Sequence, residues 1–288
     1  QFWVYLFPIL KVKQFLIKVT YFFILVSIPF VSLLAILPKN YHYDGADAIL
    51  KYQKLKLKNS NEFNTGYFGD SSCGYAIDSK LLKSKSLNFS LIGDFNLIGT
   101  FEMIKNTKNQ NEKLKRVIIM HDVSVYGYTR DLQYKFFDDY SYTTKVKRKL
   151  SIFHTKLRKG DFTNLFTQNN VIENDFLAPS DYISDFNKSF SMENELSKEN
   201  KTTISKIVSY CERKKMDYIF LIGPNVSIKK NKYFISLEKF FRENNFNFIN
   251  EYYLINNENI GDQRNHVRTE YKIESTSFYE KIIDNYFR

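Results

Sequence analysis

The sequence predicts an α/β fold, a three-layer sandwich on a mainly parallel sheet. Two observations carry that prediction. Short runs without polar alternation recur, such as RVIIM at Arg116–Met120 and DYIFLI at Asp217–Ile222. Runs of this kind are strands buried on both faces. Helical patterns separate them, and strand–helix alternation is how a parallel sheet covered on both sides is written.

The elements follow in order. Ala46–Lys58 (ADAILKYQKLKLK) reads as a helix carrying Ile49, Leu50, Leu55 and Leu57, a stalk within 39–60. Gly66-Tyr67-Phe68 is a short buried strand running into GDSS, and Leu87–Ile92 (LNFSLI) is a second. Ile98–Asn106 is helical and leads to the strand at Arg116–Met120. Asn194–Lys214 is a helix before the strand Asp217–Ile222, which Gly223-Pro224 ends. Ile235–Glu243 is helical, Asn247–Ile249 is a strand, and Ser275–Tyr286 closes the chain as a helix. Between Tyr126 and Phe190 the periodicity weakens among Lys, Asp, Tyr and Asn, which reads as a partly irregular helical insertion at about 126–190 within a domain spanning 61–288. Thr144–Lys159 inside it is a basic amphipathic stretch, either a solvated face or a contact for a membrane surface or polyanion.

Composition narrows the class. Over 288 residues, 43% hydrophobic and 25% charged content excludes a disordered chain and supports a substantial core. Lys+Arg 42 against Asp+Glu 31 gives +11, a balance suited to acidic glycans. No nucleic-acid-binding motif occurs, so nucleic acid is not an expected partner. Cys73 and Cys211 allow two free thiols or one bridge, and exclude a disulfide scaffold, a zinc ribbon or a CxxC redox pair.

Val19–Leu37 (VTYFFILVSIPFVSLLAIL) contains no charge. About 20 such residues cross the ~30 Å hydrocarbon core as a helix, and Pro29 is tolerated there. A signal peptide would have a shorter apolar region and a small-residue cleavage site, whereas this run leads into Leu37-Pro38-Lys39-Asn40. The expectation is an uncleaved anchor at 19–38. Residues 1–18 form a cytoplasmic or interfacial segment with Trp3 at the headgroups. Lys11, Lys13 and Lys18 precede the span while Lys39, then Asp44 and Asp47 follow it, which orients the remaining chain outside a cell membrane crossed once.

Three fragments could carry chemistry. In Gly69-Asp70-Ser71-Ser72-Cys73-Gly74-Tyr75, a serine just past a buried strand is exposed at the carboxyl edge of the sheet, where α/β ligand sites lie. The same residues also make an ordinary helix cap. In Gly261-Asp262-Gln263-Arg264-Asn265-His266, a carboxylate before a histidine can orient one ring nitrogen while the other takes a proton from a serine hydroxyl, although such a pair is also common on surfaces. Asn88–Gly93 (NFSLIG) ends a strand with a glycine, which is either a plain turn or an oxyanion N–H donor.

Together these fragments resemble the SGNH/GDSL hydrolase superfamily. Gly69-Asp70-Ser71 looks like its first block, and Asp262…His266 followed by Thr276 and a closing helix looks like its last. With "FGDSS…YAID" and "NFSLIG" after a single span and stalk, the pattern is similar to membrane-anchored AlgX/AlgJ and DltD-type relatives that modify envelope polysaccharides. The resemblance covers roughly 61–288 apart from the insertion. It implies Ser71 as nucleophile, His266 as base, Asp262 as the group orienting it and Gly93 as a backbone oxyanion donor, with Ser72 a neighbouring choice. It implies acyl transfer or ester hydrolysis on a cell-envelope polysaccharide, no metal or organic cofactor, and a membrane-bound O-acyltransferase as partner. Two departures stand out. Asp262 and His266 are four apart rather than the usual three, and the third-block Asn has no match in His121-Asp122-Val123-Ser124. A catalytically idle SGNH-like module that binds glycan or scaffolds an envelope complex is the alternative.

Overall fold

The computed structural model describes residues 12–28, 46–60, 62–82, 85–126, 196–226, 228, 232–261 and 263–288. The segment at 1–11, the second half of the anchor at 29–38, nearly all of the insertion, the basic stretch Thr144–Lys159 and Asp262 lie outside these residues. The chain divides into two units, Gln1–Tyr43 with Phe137–Asn170, and Asp44–Phe136 with Val171–Arg288.

In the first unit, residues 12–28 form a helix (α1) whose apolar side chains, among them Phe15, Phe22, Phe23 and Leu25, are largely exposed. No helix among the described residues is long and apolar enough to cross a membrane.

Among its described residues the second unit holds five parallel strands: β1 (Thr65–Gly69), β2 (Ser86–Asn88), β3 (Arg116–His121), β4 (Asp217–Ile222) and β5 (Phe248–Ile249), in the order β2-β1-β3-β4-β5. Helices α2 (Ala46–Asn59), α3 (Ser71–Ala76), α4 (Asn96–Gln110), α5 (Lys198–Arg213), α6 (Lys232–Glu243) and α7 (Lys272–Tyr286) cover the sheet. Residue parity divides the two faces. Tyr67, Ile118, Met120, Ile219 and Leu221 pack with Cys73 and Ala76 of α3 and Tyr279 and Ile283 of α7. On the opposite face Phe68 stacks on Phe89 and Phe220 packs against the tilted ring of Phe241 of α6, beside α4 and α5. This is the three-layer α/β sandwich that the continuous apolar runs predict.

The second strand is shorter than its apolar run. Beyond Asn88 the chain keeps alongside β1 by irregular bonds, Phe89 N–H to Tyr67 O at 2.8 Å and Leu91 N–H to Gly69 O at 2.9 Å. The helix read as a stalk packs on the domain itself. Leu50 and Leu57 are buried, and the buried Gln53 amide donates to Ser90 O at 2.7 Å.

Because the chain runs out from β1 to the edge strand β2 and then back across to β3, the strand order reverses between β1 and β3. In open α/β sheets that reversal opens a crevice at the carboxyl ends of the strands. Ser71 follows β1 and Asp122 follows β3 at this point.

Candidate active site

Two glycines let the serine loop settle at the edge. A Cβ on Gly69 would stand 1.7 Å from the Met120 carbonyl oxygen of β3, and one on Gly223 would stand 2.2 Å from Ser72 Oγ. Larger residues at these positions would push the turn away from the sheet. Asp70 then caps α3, accepting from the Ser72 N–H at 2.9 Å. The cap therefore falls to Asp70, and the half-buried Ser71 is the next residue, the first of α3.

Ser71 opens α3 and is half-buried, with its Oγ 2.9 Å from His266 Nε2. Ser72 points the other way. It is fully buried and its hydroxyl donates to Asp70. Cys73 is buried too, and burial pushes its thiol up to about 12, so it offers no thiolate at neutral pH. Both cysteines are free and buried.

His266 comes from a tight loop before α7, 3% exposed. Its N–H donates to Gln263 O at 3.0 Å, its carbonyl accepts from Gly261 N–H at 2.7 Å, and Ile260 bridges Val267 across the turn. The ring lies on that of Tyr75, with centroids 4.0 Å apart and planes inclined by 29°. Gly93 opens a short 3-10 turn after β2, with open space where a Cβ would stand. Since Leu91 pairs with Gly69, Gly93 belongs to the same carboxyl edge as Ser71, one strand over.

Under the serine lies a buried polar network. One Asp70 oxygen receives the Asp122 N–H at 3.0 Å and lies 3.5 Å from His121 Nδ1, too long for a good hydrogen bond. His121 Nε2 is 2.9 Å from Thr100 Oγ1. Asp70, His121 and Thr100 thus repeat the carboxylate–imidazole–hydroxyl order of a relay, but each is at most 2% exposed and no substrate can reach them. Their role is structural. Burial alone would raise the Asp70 carboxyl. His121, the Ser72 hydroxyl and the Asp122 N–H outweigh it and hold the group below the ordinary aspartate range.

Asp122 ties the loops together. It accepts from Ser124 N–H at 2.7 Å and from Asn225 Nδ2 at 2.7 Å, and Arg264 of the histidine loop lies 3.8 Å away. Burial raises its carboxyl, with Arg264 pulling the other way and Asp70 adding to the rise. The loop after β3, which matches no third-block Asn, therefore supplies a carboxylate linking the ends of β3 and β4 to the serine and histidine loops. Asn225 was missed as well. Its signal is a polar residue three positions past the end of an apolar strand, in Gly223-Pro224-Asn225. Tyr75, also missed, is signalled by its i,i+4 spacing from Ser71, which puts both on one helix face. No cluster among the described residues has the donors to hold a metal ion.

No family model and no curated protein matches this chain. Among solved structures, a crystal structure described as a "putative acylhydrolase" from Bacteroides fragilis NCTC 9343 is similar, with a TM-score of 0.44 and 10% identity over 84% of this chain and 98% of that one. Likeness at this level says nothing about chemistry, and the functional reading rests on the residues above.

Proposed function

We propose that this protein is a serine-dependent acyl-transfer enzyme of SGNH type, an O-acyltransferase or esterase acting on a cell-envelope polysaccharide. The observation that carries the reading is the 2.9 Å contact between Ser71 Oγ and His266 Nε2 at the crevice of the sheet. The serine hydroxyl donates to the neutral imidazole, and as Oγ bonds to an acyl carbon its proton moves to Nε2. The Ser71 and Gly93 N–H groups receive the oxyanion, each such donor being worth about 10²–10³ in rate. The imidazolium returns its proton to the leaving oxygen, and a sugar hydroxyl or water then takes the acyl group. Asp262, four residues before the histidine, is assigned the orientation of His266. The idle-module alternative gives no reason for a half-exposed serine to face an imidazole.

The cell-membrane location and the substrate rest on sequence. The uncharged run Val19–Leu37 supports an anchor, and the exposed apolar side chains of α1 suit a lipid environment. The +11 charge suits an acidic glycan, and a donor outside the membrane calls for a membrane-bound O-acyltransferase. The test is to incubate the full chain with an activated acetyl ester, with and without polysaccharide. Acetate release or acetyl-glycan formation that Ser71→Ala abolishes supports the reading and tells esterase from transferase. Turnover equal in Ser71→Ala and the parent chain sinks it.

A further inference from the structure

Ser71 and Tyr75 lie one turn apart on α3, and both face His266: the hydroxyl meets Nε2 at 2.9 Å and the phenol ring lies against the imidazole face at 4.0 Å. The six-residue helix therefore holds the nucleophile and a platform for the base at a fixed spacing. We infer that Tyr75 is a positioning residue, whose ring sets the imidazole plane for Ser71 and favours the protonated imidazole formed when the serine gives up its proton. This rests on the acyl-transfer reading above.

Two physical points support it. An aromatic face within about 6 Å of a cation stabilises it through the ring quadrupole, and the stack is well inside that range. A ring pinned at one nitrogen can still rotate about that contact, and a second contact on its face removes this freedom. Among the described residues, the same loop carries Arg264, which lies 3.8 Å from Asp122, and the Asp122 N–H in turn donates to Asp70 behind the serine turn. Tyr75 is the aromatic contact from α3.

The experiment follows the His266 ring by NMR in the full chain, its signal assigned by loss in His266→Gln, alongside the rate of Ser71 acylation by a fluorophosphonate. In Tyr75→Leu the titration midpoint is expected to fall by about 0.4–1.5 pH units, the range from an exposed to a desolvated cation–π contact. Acylation should slow by about tenfold, roughly the penalty for a loosened near-attack geometry. Tyr75→Phe keeps both, and Tyr75→Trp, the stronger π donor, raises the midpoint. An unchanged midpoint in a folded Tyr75→Leu, or a lowered one in Tyr75→Trp should the leucine variant not fold, overturns the inference. If the parent chain is never acylated while the midpoint still moves, the stack stands and the nucleophile assignment falls.

Discussion

At the scale of single residues, the buried carboxylates set the pH response. Asp70 has its carboxyl held below the unfolded value of about 4, so its contribution is fully present above that value. It is lost as pH falls through the folded value. Asp122 has the opposite sign. Its raised carboxyl favours the fold while protonated, and that contribution fades as pH rises through the folded value. Melting temperature against pH should therefore show an acid-side decline that is blunted in Asp70→Asn. Asp70→Ala leaves the Ser72 and Asp122 N–H donors without their acceptor, and should cost on the order of 3 kcal/mol in denaturant unfolding. A loss under 0.5 kcal/mol would mean that the network does not hold the serine turn.

At the scale of elements, the two glycines make the sharpest predictions. Gly69→Ala drives a methyl into the Met120 backbone, which cannot move without breaking the pairing of β1 with β3, and soluble folded protein should be largely lost. Gly223→Ala meets the Ser72 side chain instead, so it should fold with a displaced α3 and a slower Ser71 acylation. Equal acylation in Gly223→Ala and the parent would remove the strand end from the account. The strands were legible because burial on both faces writes a continuous apolar run, and Asp217–Ile222 matches β4 residue for residue. Leu87–Ile92 was overread because its apolar residues serve packing after the ladder has ended at Asn88. Ser71 and His266 could be named because a hydroxyl after a strand and a histidine before the last helix are local patterns. The network of Asp122, Asn225 and Arg264 could not, because its residues lie up to 142 positions apart and only the sheet brings them together.

At the scale of the whole molecule, the issue is where the domain begins. Helix α2 buries Leu50 and Leu57 and bonds to the segment after β2 through Gln53, so it belongs to the domain. A chain starting at Ala46 should unfold at nearly the parent temperature, while Leu57→Ala should lose about 2–4 kcal/mol, as buried leucines do. Equal stability in Leu57→Ala would return α2 to the role of a stalk. If the proposed anchor is right, the full chain should partition into lipid vesicles and the chain from Ala46 should stay in solution; identical partitioning would count against the proposal. The central claim, however, is that Ser71 is an activated nucleophile with His266 as its base. Its most direct test is fluorophosphonate labelling of the full chain with the modified residue located by peptide mass, beside Ser71→Ala and His266→Ala. A single adduct on Ser71 is expected, absent in the first variant and slowed by at least about 10³ in the second. A folded chain that takes no label, or takes it equally well without His266, would contradict it.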